Sequence, residues 1–388
     1  MNDQNIFEKS STILPIAFIA FPAPDLSFLL SLLLAQHRAY VAAPTTIPTL
    51  TPFANDVIFT LIVITSIDFD IIIRIQTKTI QKMLFKNKKY DILSKAFKNW
   101  RINMENIQKV CAINDVSGIG RCSLTVIIPV LSYMGIQVCP VPTAVFSAHT
   151  GYDEFVKKDL TDYLGPALDY YKRMNVRFDS VYSGFLGSEQ QIDCVLDFLK
   201  SNPDSLKLVD PVMGDNGKPY KTVTQNHILR MSELVKVADM ITPNITEAAI
   251  LLKEKYPDTS LSSDTVKDWA QRLSDLGPGK VVITSVELFD NTLCNVGYDS
   301  NIKSFFFVPC QYVPAHYSGS GDMFASVLLG GLLKGKSLKD SVCRATGFTE
   351  LAIKTTYECN NEPLDGILLE SCLSELYDEN TPNRCIEL

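Results

Sequence analysis

A chain of 388 residues has room for one large domain or two ordinary ones around a sizeable core. Its 46% hydrophobic and 20% charged content describes a globular protein, and a net charge of −7 argues against the basic face of a nucleic-acid binder. Ten cysteines without a C-x-x-C pair, beside only four histidines, argue against a zinc site or a disulfide framework and for reduced thiols in a cytoplasmic protein.

Residues 1–103 differ in texture from everything after them. Ile13 to Leu34 is apolar, but Pro15, Pro22, Pro24 and Asp25 interrupt it and make it a poor membrane span. The terminus opens with Asp3 and Glu8 where a signal peptide wants a basic n-region. Val57 to Ile67 is apolar and β-branched but too short to span. Arg74 to Arg101 carries nine Lys or Arg against one acid, Asp91, and reads as a solvated helix, with a membrane-surface segment as the alternative. No catalytic pattern occurs here. The expectation is a dispensable extension of unknown role over residues 1–103, disordered or from an over-long reading frame, and then one domain over 104–388.

From Lys109 onward, short apolar runs alternate with helical stretches. Val110 to Ile113 reads as a strand, Asn114 to Gly120 as a turn, Cys122 to Met134 as a helix closed by Gly135, and Ile136 to Val141 as a second strand. Further strands are expected at Ser180–Tyr182, Leu206–Val209, Met240–Thr242 and Val281–Thr284. Helices fit between them at Leu160–Met174, Glu189–Leu199, His227–Val237, Thr246–Lys255 and Asp264–Leu276. Thr292–Tyr298 and Lys303–Val308 look like a late antiparallel hairpin. Leu338–Thr355 and Leu364–Tyr377 read as closing helices. This alternation implies an α/β fold with a mainly parallel sheet.

In such sheets, ligands sit outside the carboxyl ends of the strands. Polar or glycine-rich stretches follow six strands in turn, ending with Thr284-Ser285. Any one of them is an ordinary connection, but six on one edge point to an extended site. The stretch Gly319-Ser320-Gly321-Asp322 then leads into the apolar run Met323 to Leu333. It reads as a glycine turn, with Gly319 and Gly321 free to take positive φ, at a helix N-terminus where N–H groups and the dipole favour an anion. Asp322 is either a proton acceptor beside that anion or a plain helix cap. Gly330 to Ser337 satisfies the P-loop pattern G-x-x-x-x-G-K-S, but it closes a helix instead of opening one, so it reads as a helix stop.

With these residues assembled, the chain from about Met104 to Tyr377 resembles the ribokinase-like superfamily, and within it the pyridoxal kinase family. The matching stretches are Ser147-Ala148-His149-Thr150-Gly151-Tyr152, Asp210-Pro211-Val212-Met213-Gly214-Asp215, Thr242-Pro243-Asn244-Ile245-Thr246-Glu247, Val282-Ile283-Thr284-Ser285 and Gly319-Ser320-Gly321-Asp322. The resemblance implies a three-layer sandwich with a central, mostly parallel sheet flanked by helices, usually as a homodimer. It implies transfer of phosphate from ATP, with Mg²⁺, to the 5′-hydroxymethyl group of pyridoxal, pyridoxine or pyridoxamine. By the same resemblance Asp322 is the general base, and the N–H groups of Gly319, Ser320, Gly321 and Asp322 form the anion hole. Asp210 and Glu247 organise Mg²⁺, largely through water. Asp215 lies near the triphosphate, and Thr242, Thr284 and Ser285 contact the nucleotide. Asp115 and Thr150 hold the ring's polar edge, and Phe185 lies against the ring.

Two other readings stay open. Asn114-Asp115-Val116-Ser117-Gly118 leans toward the hydroxymethylpyrimidine kinases, although those relatives carry a cysteine where Asp322 stands. A pyridoxal-binding protein that has lost turnover is the reading from outside enzymology, and an intact Asp210, Glu247 and Asp322 set argues against it. His149 and His316 sit near the site and read as hydrogen-bonded structural residues.

Overall fold

A computed structural model describes residues 107–221, 223–257, 259–377 and 386–387. The expectations for residues 1–103, and for a domain start at Met104, lie outside the described residues. The described strands are β1 (Lys109–Ser117), β2 (Gln137–Phe146), β3 (Lys157–Asp159), β4 (Ser180–Ser183), β5 (Leu206–Val209), β6 (Gly214–Asp215), β7 (Lys218–Pro219), β8 (Met240–Ile241), β9 (Lys280–Glu287), β10 (Leu293–Asp299), β11 (Ser304–Pro309) and β12 (Ile386–Glu387). Strands β6 and β7 pair with each other, and the rest form one sheet in the order β12-β11-β10-β9-β8-β5-β4-β1-β2-β3. The six central strands, β9 through β2, run parallel, and antiparallel pairs close both edges.

The helices are α1 (Leu124–Tyr133), α2 (Thr161–Arg173), α3 (Glu189–Ser201), α4 (Gln225–Lys236), α5 (Ile245–Leu252), α6 (Ser263–Asp275), α7 (Ser320–Leu333) and α8 (Leu338–Glu358). Several start where a hydroxyl accepts the backbone N–H three residues on: Ser188, Thr224, Ser262 and Ser337 cap α3, α4, α6 and α8. Side-chain alternation along the strands then sorts the helices into two layers. On one face Cys111, Ile113, Val181, Val209, Ile241 and Val281 pack with α2 to α6. On the other, Val110, Ala112, Tyr182, Leu208, Met240 and Val282 pack with α1, α7 and α8. The result is an α/β sandwich of three layers, with α7 buried along most of its length, which is why its sequence shows no polar face.

Three expectations change. β1 does not stop at Ile113, because its pairing with β2 resumes after an irregularity at Asn114/Val116 and continues to Ser117↔Phe146. Asn114 and Asp115 are therefore buried strand residues, not loop residues. The helix expected over Leu364–Tyr377 is a chain of 3₁₀ turns, Pro363–Asp365, Leu369–Ser371 and Leu373–Tyr377, where Pro363 and Gly366 (φ 76°) break the α-helical course. Cys343 is disulfide-bonded, so the set of reduced thiols is corrected at that position. Such a pair depends on tertiary proximity, which local spacing does not reveal. Eight other cysteines are free thiols among the described residues. The helix stop holds: α7 ends at Leu333 and Gly335 follows with φ 77°.

Candidate active site

The site is built on the carboxyl edge of the parallel strands, where α7 begins. Gly319 is the N-cap of α7 with φ 83°, and a Cβ there would lie 2.1 Å from the carbonyl oxygen of Arg121. Ser318 Oγ donates to the carbonyl of Gly120 at 2.8 Å, so the turn is seated on the loop between β1 and α1. Gly321 differs from the expectation. It has no positive φ, and a Cβ there would meet nothing within 4 Å, because it sits in the first helical turn facing open space. The N–H of Met323 is bonded to Gly319 O at 2.9 Å, which leaves the N–H groups ahead of it at the open helix end.

Asp322 is the third residue of α7, yet it does not cap its own helix. Its Oδ2 accepts from the N–H of Ser123 at 2.8 Å, and its Oδ1 accepts from Asn114 Nδ2 at 3.2 Å. The plain-cap reading is therefore set aside. Burial pushes its carboxyl up to about 7, the charge of Asp115 adds to the rise, and the bonds from Ser123 and Asn114 oppose it. A base must be ionised to accept a proton, so if Asp322 has that role kcat/KM should climb between about pH 6 and pH 8 and level off above. An acid limb near pH 4, the ordinary carboxylate range, would contradict this assignment.

Asp210 follows β5, with its N–H on the carbonyl of Ser183 at 2.8 Å. Glu247 lies in the first turn of α5 and forms a capping box with Asn244. Its Oε2 accepts from the N–H of Asn244 at 2.9 Å and its Oε1 from the N–H of Met213 at 3.1 Å. Burial raises the pKa of both acids; Asp322 adds to the rise at Asp210, and Asp210 adds to it at Glu247. Mutually repelling carboxylates with spare lone pairs are a fitting donor set for Mg²⁺, which takes one or two carboxylates and fills its other positions with water and phosphate oxygens. Among the described residues no group of three His, Cys, Asp or Glu is gathered as a metal cage.

The other expected residues lie on several different elements. Thr242 is buried after β8, and Thr284 donates its N–H to the carbonyl of Pro243 at 3.0 Å beside the α5 cap. Ser285 takes φ 56°, with its N–H on Asn295 Oδ1 at 3.0 Å. Asp215 Oδ2 stands 3.5 Å from His316 Nε2, on an exposed imidazole. Asp115 is buried, and its two oxygens accept from Ser123 Oγ at 2.6 Å and Ser117 Oγ at 2.9 Å. Thr150 is exposed in the turn after β2. Phe185 is half-buried and packs edge-to-face with Phe146, centroids 6.0 Å apart. His149 accepts from the N–H of Gly151 at 3.2 Å, and burial lowers its pKa, in keeping with a neutral structural imidazole.

Sequence reasoning did not single out Asn114 or Ser123, the two groups that hold Asp322. Ser123 has φ 55° and ψ −134°, a strained backbone for a non-glycine residue, and no local pattern signals it.

The phosphomethylpyrimidine kinase family model matches residues 134–365, more than half of the chain. The chain belongs to that family. The match spans the Asp210, Glu247 and Asp322 positions. Among curated relatives, a pyridoxal kinase of Arabidopsis thaliana is 30% identical over 248 residues, covering 61% of this chain and 75% of that protein. A Bacteroides thetaiotaomicron protein, named as a candidate phosphomethylpyrimidine kinase and crystallised with pyridoxal, is 42% identical with TM-score 0.70, covering 73% of this chain and all of that one. The pyridoxal kinase of Lactobacillus plantarum is 29% identical with TM-score 0.65, over 70% of this chain and 97% of that one. The fold of this family member is ribokinase-like.

Proposed function

We propose that the protein transfers the γ-phosphoryl group of ATP to the 5′-hydroxymethyl group of pyridoxal, pyridoxine or pyridoxamine, with Asp322 as the base. The observation that carries this reading is Asp322 itself: a carboxylate fixed by two donors from outside its helix, beside the open N–H end of α7. The hydroxyl oxygen attacks the γ-phosphorus, the bond to the β-bridging oxygen breaks, ADP leaves, and the hydroxyl proton passes to Asp322. The N–H groups at the start of α7 receive the phosphoryl oxygens. Asp210 and Glu247 would hold Mg²⁺, which neutralises charge on the phosphates when bound. Thr242, Thr284, Ser285 and Asp215 line the nucleotide side, and Phe185, Thr150 and Asp115 the ring side.

The family description, together with Asn114-Asp115-Val116-Ser117-Gly118, supports a second reading as a hydroxymethylpyrimidine kinase. ADP release measured across pyridoxal, pyridoxamine, pyridoxine and hydroxymethylpyrimidine separates the two. The proposal expects turnover with a B6 vitamer at least ten-fold above that with the pyrimidine; the reverse ranking would replace it.

Glu247→Gln tests the metal role. Glutamine can still accept from the Asn244 N–H of the capping box but not also from the Met213 N–H, so the thermal midpoint is measured alongside. The Mg²⁺ concentration giving half-maximal rate should rise on the order of ten-fold, as expected when a charged ligand is lost. An unchanged Mg²⁺ titration would remove Glu247 from the metal site.

No helix among the described residues is long and apolar enough to cross a membrane. The resemblance and the composition favour a cytoplasmic homodimer with a dispensable extension over residues 1–103. A chain starting at Met104 should elute as a dimer and keep full turnover; an inactive or insoluble product would overturn that part.

A further inference from the structure

Asn114 stands where β1 and β4 part. The ladder between them ends at Ile113↔Ser183, and the N–H of Gly184 then bonds to the carbonyl of Ile113 at 2.9 Å. One step further, the side chain of Asn114 replaces the backbone as acceptor. Its Oδ1 accepts from the N–H of Phe185 at 2.9 Å and from the N–H of Asp115 at 2.9 Å. Gly184 leaves the room for this, since a Cβ there would lie 2.3 Å from Asn114 Nδ2.

Two N–H donors on one end of the amide fix its orientation, because the NH₂ end could not accept from them. The NH₂ end therefore faces Asp322, and at 3.2 Å its only role toward that carboxylate is to donate. Ser123 supplies the second donor, on the other carboxylate oxygen. With one donor on each oxygen, the plane of the carboxylate is set by groups on β1 and its following loop, not by α7.

We propose that Asn114 is a positioning residue for phosphoryl transfer: its amide, locked by the Phe185 and Asp115 N–H groups, holds Oδ1 of Asp322 so that Oδ2 keeps its register with Ser123 and the carboxylate stays aimed at the substrate hydroxyl. This rests on Asp322 being the base. A bland alternative is available, in which Asn114 only stitches β1 to the Phe185 segment and its contact with Asp322 is incidental.

Asn114→Asp separates the two. It is nearly isosteric and keeps an acceptor for both N–H groups, but it replaces the donor with an acceptor facing Asp322. The proposal expects kcat to fall on the order of 10²-fold, as misplacement of a reacting group does, with the KM for ATP within about two-fold of the parent. A kcat within about two-fold of the parent would overturn it.

Because Asn114→Asp could disturb folding, Asn114→Ala is measured in parent and Asp322→Asn backgrounds, each checked by thermal midpoint. If Asn114 acts through Asp322, the alanine change lowers kcat in the parent and adds less than about two-fold once Asp322 is gone. An equal loss in both backgrounds would mark Asn114 as structural. Should the parent itself phosphorylate none of the vitamers or the pyrimidine, the functional reading fails first, and this outcome is distinct from either result for Asn114.

Discussion

Replacing Asp322 by alanine should lower kcat on the order of 10²–10⁴-fold, the range by which a positioned base accelerates proton transfer. Binding of pyridoxal and of Mg²⁺-ATP should survive, because the residues proposed for the ring and for the nucleotide lie on other elements. Two features make the expected loss large. The carboxylate is held by donors from β1 and the β1–α1 loop, which fix its placement. Its pKa, pushed up to about 7 by burial, matches a base working near neutral pH. Removing it also relieves Asp210 of a neighbouring negative charge. A modest gain in thermal stability alongside the lost turnover would therefore agree with the account. Turnover at the parental rate would end it.

The second large effect is expected at Gly319, and its contrast is Gly321. An alanine at Gly319 must take φ near 83° and place its Cβ 2.1 Å from the carbonyl oxygen of Arg121. The positive φ alone costs about 1–3 kcal/mol, and the contact forces the Gly319 turn away from the β1–α1 loop. That shift moves the N–H groups proposed to receive phosphate and also Ser123, whose N–H donates to Asp322. Both stability and kcat should fall, the latter at least 10²-fold, comparable to losing an oxyanion donor. Gly321→Ala meets no protein atom within 4 Å and adopts a helical backbone. Its thermal midpoint should hold or rise, since alanine favours the helix, while the methyl group intrudes on the space beside the anion site and weakens ATP use. Equal stability losses at the two glycines would show that the turn does not constrain the site as described.

Much of the fold was legible because periodicity carries it. Apolar runs such as Leu206–Val209 and helical stretches such as Asp264–Leu276 fall within a residue or so of the observed elements. The loops after the strands gathered at one edge, as α/β connectivity requires. Strand β3 was missed because Lys157-Lys158-Asp159 is an exposed edge with no alternation to read. The continuation of β1 through Asn114 and Asp115 was missed for a different reason. Polar residues after an apolar run look like a turn, and only the pairing with β2 on either side of the irregularity, together with their burial, makes them strand.

The site divides along the same line. Asp322 stood out because a carboxylate beside a glycine turn is chemically conspicuous, whereas Asp210 and Glu247 were reached through the family resemblance of their Asp-Pro-Val-Met-Gly-Asp and Thr-Pro-Asn-Ile-Thr-Glu stretches. The choice between cap and base at Asp322 was not decidable locally. It turns on two donors 199 and 208 positions away along the chain. Asn114 and Ser123 gave no signal for the same reason: their significance is a contact, and the contact is tertiary.

Phosphorus-31 NMR of the full chain with Mg²⁺, ATP and pyridoxal tests the central claim most directly. The account predicts a new phosphate-monoester resonance from pyridoxal 5′-phosphate, growing in step with ADP. ATP left intact while pyridoxal is bound, or converted only to ADP and inorganic phosphate, would contradict it.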